Sequence, residues 1–580
     1  MKNFNPTEIF SPIFATMSFK TIQLNMRNIL KYITIIFLSI LIVSCGGKKN
    51  KSETSKSNKV ITKKGKRITD KDHLSFDIID TSFFYIGKIE EKDFAIKISR
   101  SEKTLIQGYL YDLTNTTTLP QPFTISRKDE KYILNTETQS VTFNFEAIHD
   151  KTSLEALVLF STPSADSIIK MEFLRLEVPE FQSCESPMYK EECYKIEKIS
   201  DINYAKAEGY WCSLEPENEK YIRTITKTIA QTAHKKDLDL KMDIYRPIED
   251  TLRQHPVILL LHGGAFYIGD KSDFTLSEWC KHFARLGYVA VSINYRMGFK
   301  ISKNSIQNCG FMAIQDAHAA LRYLVHNAEL YNIDPNYIFI GGASAGAITA
   351  LNLVYMSKNS RPESTLKLGE KWSSGNNLTE KFEIRAIINM WGAIYDLNDI
   401  TLTPTPTISF HGTEDPIIPI NYGYPFADIS KKLGERLFDE MYGSQAIHQK
   451  LDSLKIRNEF YPLEGAKHGP HKNSQNKPTQ YFYLIQEKTT HFLYEEITQV
   501  QGFMKHPTDS RIYCINNDEI AKLFWKVDGG FIIDYNEKEI KVVWNDESDT
   551  QQLTASGFKK NGAPFTKVLQ IRNKQTNDTN

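Results

Sequence analysis

Metal-ligand spacing is missing from this chain. Its seven cysteines form no C-x-x-C pair and no Cys/His ligand pattern, which argues against a metal site. Net charge is nearly absent too: 71 basic against 70 acidic residues leave +1, without the basic footprint of a nucleic-acid binder. No repeat of fixed period is visible ahead of the central region, which excludes a bladed propeller there. The apolar, uncharged run from Ile33 to Val43 is too short to cross a bilayer comfortably. What the sequence does hold is core-forming material. It is 41% hydrophobic and 12% aromatic over 580 residues, enough for about two to four domains.

The most informative stretch runs from Tyr337 to Gly346. A β-rich apolar segment ends in G-x-S-x-G, and Ala347 to Val354 continues with helical spacing. Strand, sharp turn and helix are the context that makes this common pattern a nucleophile elbow, with Ser344 at its apex. Small residues flank the serine because the turn brings backbones close together. The helix N-terminus behind it favours negative charge.

A nucleophilic serine needs a base, an orienting acid and donors for an oxyanion, and candidates follow in that chain's usual order. Leu260 to Phe266 closes a hydrophobic strand with consecutive glycines whose N–H groups can turn toward a substrate oxygen. Gly263 and Gly264 are the expected donors, with Ala265 an optional third and Ala345 completing the set; His262 reads as a structural hydrogen-bonder for the loop. Ile408 to Pro419 runs from strand into a polar turn and offers Asp415, 71 positions after Ser344 (415 − 344), with Glu414 its competitor. Phe460 to Pro470 puts His468 in a Gly-flanked loop after the next strand. His471 is its nearest competitor, while His411, His282 and His318 lack that position. Phe266, Tyr267 and Trp391 are expected to border the substrate pocket, with Tyr422 and Tyr424 further candidates; Asn421 to Ser453 is a candidate lid or wall.

Around these motifs, strands and helices alternate: Leu238–Tyr245, Pro256–Leu261, Tyr288–Tyr295, a helix over 311–330, the elbow strand, then strands at 384–390, 406–410 and 457–461. Such alternation predicts the α/β class, a doubly wound and mostly parallel sheet. Together the motifs resemble the serine carboxylesterases of the α/β-hydrolase superfamily, nearest to exported bacterial feruloyl and acetyl xylan esterases. The resemblance is carried by Met242 to Pro247, His262 to Lys271, Ile293 to Arg296, Gly342 to Gly346, His411-Gly412-Thr413 with Asp415, and His468-Gly469. It covers about residues 221–496. It implies an ester substrate, a Ser344/Asp415/His468 triad, and neither metal nor organic cofactor. Ala265 stands where many such relatives have a third glycine. Two alternatives stay open at this point: a serine peptidase of the prolyl-oligopeptidase kind, and a catalytically silent surface binding protein.

The flanks read differently. Arg27 and Lys31 precede the short apolar run, and Ile42-Val43-Ser44-Cys45 resembles the lipobox of bacterial lipoproteins. That resemblance implies cleavage before Cys45, lipid attachment to its sulfur, and a bacterial envelope protein held to a membrane. Residues ahead of Met26 read as an over-extended start. The expected organisation is a leader over 1–45, a polar flexible tether over 46–72, a β domain over 73–183, the α/β domain with an N-terminal connector over 184–499, and a β domain over 500–580. The last resembles PKD-like or Ig-like modules through Trp525 to Gly530, Ile540 to Trp544 and Asn561-Gly562. Export makes the six remaining cysteines an even set, with Cys184–Cys193 and Cys280–Cys309 plausible bridges.

Overall fold

A computed structural model describes residues 180–211, 234–401, 405–500 and most of 502–573, with the backbone of eight strands between residues 84 and 174. The expected leader, Cys45 and the tether lie outside the described residues. The eight early strands form one sheet, in spatial order sixth to first, then eighth and seventh, with every pairing antiparallel. The sequence pattern had left sandwich or barrel open; the backbone is a single meandering sheet.

The central sheet also has eight strands: β1 (Lys195–Gly209), β2 (Lys236–Ile248), β3 (His255–Leu261), β4 (Val289–Ile293), β5 (Ile333–Ala343), β6 (Ile384–Met390), β7 (Thr407–Gly412) and β8 (Asn458–Leu463). Their spatial order is 1-2-4-3-5-6-7-8. Strands β3 to β8 run parallel, and β2 is antiparallel to both neighbours. This is the α/β-hydrolase fold.

Burial on both faces explains why β3 is apolar throughout. Val257, Leu259 and Leu261 enter one core; Ile258 and Leu260 enter the other. Helices α1 (Phe274–Leu286) and α5 (Gln480–Thr498) cover the second face, while α2 (Lys303–His326) and α3 (Ala345–Tyr355) cover the first. The remaining named helix, α4 (Ser444–Ser453), packs near β7 and β8. Local signals set the ends. Asp273 accepts from the amides of Thr275 and Leu276 to cap α1, and Gly287 closes it at φ 112°.

Two expectations change. The connector after Cys184 contains β1, a full edge strand. Register shifts between Leu240/Lys241 and between Met242/Ile244 break the period-two pattern that would have announced it. The suggested disulfides are absent: Cys184, Cys193, Cys280 and Cys309 are free thiols. Cys280 lies on α1 and Cys309 on α2, helices on opposite faces of the sheet, so no side-chain motion could join them.

After residue 500, a four-stranded and a three-stranded antiparallel sheet share one core through Tyr513, Trp525, Val542 and Phe565. They dock against the start of β5. Lys559 donates to the Tyr337 hydroxyl at 2.7 Å, and Arg385 pairs with Glu519 at 3.3 Å.

A buried ion pair ties the exit of β4 to α2. The Arg296 guanidinium meets Asp316 through Nε at 2.9 Å and Nη2 at 2.7 Å, and the Arg296 amide donates to the same carboxylate at 2.8 Å. Removing one partner strands a buried charge, so Arg296→Met should destabilise the α/β unit by about 3–5 kcal/mol in urea unfolding. Arg296→Lys should recover only part, because an ammonium cannot reproduce the fork.

Candidate active site

The elbow predicted from sequence is built by close backbone contact. Ser344 sits at φ 53°, ψ −116°, a strained conformation held by its amide donating to Met390 O at 2.9 Å and its carbonyl accepting from Ile348 at 2.9 Å. A Cβ at Gly346 would lie 2.2 Å from Leu261 O, and one at Gly342 would lie 2.6 Å from the same oxygen. The end of β3 and the elbow therefore touch, which brings the H-G-G loop to the serine.

Three predicted residues meet there. His468 Nε2 lies 2.9 Å from Ser344 Oγ, and His468 Nδ1 lies 2.7 Å from Asp415 Oδ2. Asp415 Oδ1 accepts from the amides of Ile417 at 2.8 Å and Ile418 at 3.1 Å. Burial alone would raise the Asp415 carboxyl; hydrogen bonds from His411 and His468 outweigh it and hold the group well below the usual carboxylate range. An anion so placed fixes the His468 ring with Nδ1 protonated and Nε2 free to accept from the serine.

The competitors fall away. His471 is stacked on Trp391 at 5.0 Å, and burial, then Lys472, pushes it down to about 3, so it stays neutral. His262 is buried beneath the loop, with Nδ1 2.8 Å from Gly263 O and its ring on Tyr295 at 4.4 Å, the structural role expected of it.

Of the expected donors, Gly263 packs against the serine: a Cβ there would lie 3.4 Å from Ser344 Cβ. Ala345 opens α3 directly behind Ser344. Gly264 makes the turn, its carbonyl accepting from the amides of Tyr267 at 3.0 Å and Ile268 at 3.1 Å. Ala265 and Phe266 follow with φ of 51° and 60°, which swings both to a cavity beside Ser344.

That cavity encloses about 580 Å³, counting the part open to solvent. Its walls are mostly apolar: Phe266, Ile348 and Ile418, with Phe426, Phe438 and Met441 from the stretch expected as lid or wall. Of the expected pocket residues Phe266 lines it, whereas Tyr267, Trp391, Tyr422 and Tyr424 do not. Tyr267 is fully buried against Phe299 at 4.9 Å, turned inward by the two left-handed residues before it. Trp391 is also buried; its ring stands edge-on to His468 at 6.3 Å, so it backs the histidine instead of facing the cavity.

The other motif residues support the loop from behind. Lys271 Nζ pairs with Asp243 at 2.7 Å, Asn294 donates to Asp270 at 2.9 Å, and the Tyr295 hydroxyl donates to His262 O at 2.6 Å. Sequence reasoning passed over His411, whose Nε2 stands 3.3 Å from Asp415 Oδ2. Its position before the acid in His-Gly-Thr-Glu-Asp was the available signal.

Comparisons with known proteins agree in kind. A family model described as BD-FAE matches residues 242–404, less than a third of the chain, including Ser344 but neither Asp415 nor His468. The chain is similar to gut esterase 1 of Caenorhabditis elegans, 25% identical over 240 residues, 39% of this chain and 42% of that protein. It is similar to para-nitrobenzyl esterase of Bacillus subtilis, 28% identical over 121 residues, 20% of this chain and 24% of that one. Among solved structures, Thermogutta terrifontis esterase 2 phosphorylated by paraoxon matches at 23% identity and TM-score 0.32, over 44% of this chain and 89% of that chain. The chain spans less than half the length of these curated relatives.

Because the elbow depends on a side-chain-free contact, Gly346→Ala should destabilise the fold by at least about 1–3 kcal/mol. Gly502→Ala, where an added methyl meets nothing within 4 Å, should leave the thermal midpoint nearly unchanged in the same melting experiment.

Proposed function

We propose that this protein is a serine hydrolase of carboxylic esters that works through an acyl-enzyme. The observation that carries the reading is the unbroken line from Asp415 through His468 to Ser344, at 2.7 and 2.9 Å, beside an apolar cavity. Similarity to proteins named as esterases supports the same chemistry.

In this reading Ser344 attacks the ester carbonyl while His468 Nε2 takes its proton. Asp415 stabilises the imidazolium formed. Amides of Gly263, Gly264 and Ala345 hold the tetrahedral oxyanion, and their fixed backbone needs no rearrangement as charge develops. His468 returns the proton to the leaving alcohol, and a water activated by the same ring then releases the acid. Phe266 and the Phe426/Phe438 wall favour an apolar acyl group on a small ester or an acylated polysaccharide. From the sequence we also propose a lipid anchor at Cys45 that holds the protein in the bacterial envelope, and a PKD-like or Ig-like identity for residues 500–580.

The test is turnover of p-nitrophenyl acetate and butyrate by the full chain beside Ser344→Ala. Loss of at least ~10³-fold in kcat is expected. Equal turnover by the folded variant would reject the proposal.

A further inference from the structure

Asp415 is held by more than the elements already described. His411 is fully buried at the end of β7, and its Nε2 stands between two acceptors: Ile418 O at 3.1 Å and Asp415 Oδ2 at 3.3 Å. Neither a carbonyl nor a carboxylate can donate, so Nε2 must carry the hydrogen. On the other side, Nδ1 lies 2.8 Å from Ser444 Oγ.

The state of that serine is set by its own neighbour. Asn389 Oδ1 accepts from the Gly392 amide at 2.8 Å, which fixes the orientation of its side-chain amide. Its Nδ2 then donates both hydrogens, to Ser409 Oγ at 2.8 Å and Ser444 Oγ at 3.0 Å. Ser444 Oγ accepts from Asn389, and among the described residues His411 Nδ1 is the one acceptor paired with its buried hydroxyl, so the serine proton points to Nδ1 and that nitrogen acts as acceptor. All four side chains are buried.

We propose that His411 is a positioning residue for Asp415: a neutral imidazole, locked as the Nε2–H tautomer by Ser444 and Asn389, that grips the acid loop at the carboxylate and at Ile418 O. The inference rests on the roles proposed for Ser344, His468 and Asp415. A neutral donor suits this place. It steadies the carboxylate without a second positive charge that would compete with the imidazolium of His468.

Two substitutions separate positioning from space filling. A glutamine amide reaches the place of Nε2 and can donate to Asp415 and Ile418 O. An asparagine amide reaches only the place of Nδ1 and satisfies Ser444 alone. On p-nitrophenyl acetate, His411→Asn should lower kcat about 10- to 100-fold with KM within about twofold, the loss of one charge-assisted hydrogen bond. His411→Gln should recover most of the loss. Equal kcat for the two variants, or a loss confined to KM, would overturn the inference. Ser444→Ala covers the case in which the histidine variants do not fold: kcat should fall about 3- to 10-fold at unchanged KM, and an unchanged kcat would count against the tautomer lock. Ser344→Ala in the same assay reports on the nucleophile, so a failure of the hydrolase reading is distinguishable from a failure of this one.

Discussion

The contact between the elbow and the end of β3 governs the rest of this site. Backbone meets backbone where Gly342 and Gly346 press on Leu261 O, and no side chain fits between them. Two loops far apart in sequence are thereby set at a fixed separation, Ser344 on one and the expected oxyanion donors on the other. Hydrogen bonds alone would not hold that spacing so tightly, because they tolerate several tenths of an ångström, whereas close-packed atoms resist compression steeply. The strained serine is the consequence: its φ of 53° persists because the surrounding contacts leave no alternative.

Charge near the site is handled by pairing it inside the fold. Asp243 meets Lys198 at 2.8 Å and Lys271 at 2.7 Å, Asp316 meets Arg296, and Asp415 is surrounded by donors from two histidines and two amides. Each such carboxylate would be expensive alone and is tolerated because its lone pairs are filled. The first pair lies behind the H-G-G loop, and the second ties the exit of β4 to the middle of α2. The third orients His468. One device, the satisfied buried carboxylate, therefore serves both the scaffold and the chemistry.

Much of this was legible in the sequence, for a physical reason. Motifs such as G-x-S-x-G and H-G-G encode steric necessity at single positions, and β3 to β8 alternate with helices plainly enough to give the fold class. The failures have one common source. Tyr267 and Trp391 sit next to motif residues, but adjacency along the chain does not say which way a side chain points. Two left-handed residues, Ala265 and Phe266, reversed the expectation for Tyr267, and Trp391 at φ 47° turned toward His468 and His471. The Cys280–Cys309 pair failed likewise, since counting thiols ignores the sheet that stands between α1 and α2. His411 was passed over because it lies on the strand before the acid, not in the loop after the next strand where the base is expected. What it contacts became visible only with Ser444 and Asn389 folded around it.

The placement of the last two sheets bears on what the cavity can recognise. They grip β5 at its start, through Tyr337, while Ser344 follows the finish of the same strand at Ala343. At ~3.3 Å per residue, the stretch from Tyr337 to Ala343 (343 − 337 = 6 steps) separates those points by roughly 20 Å. Cavity walls come instead from Phe266, from α2 and α3, and from the segment that carries Phe426, Phe438 and Met441. That segment enters between acid and base strands, and Met441 packs with Ile418 of the Asp415 loop and Ile348 of α3, so its side chains are coupled to both. The wall of the cavity and the loop that carries Asp415 are thus set together, at the end of β5 away from Tyr337, where the C-terminal sheets dock.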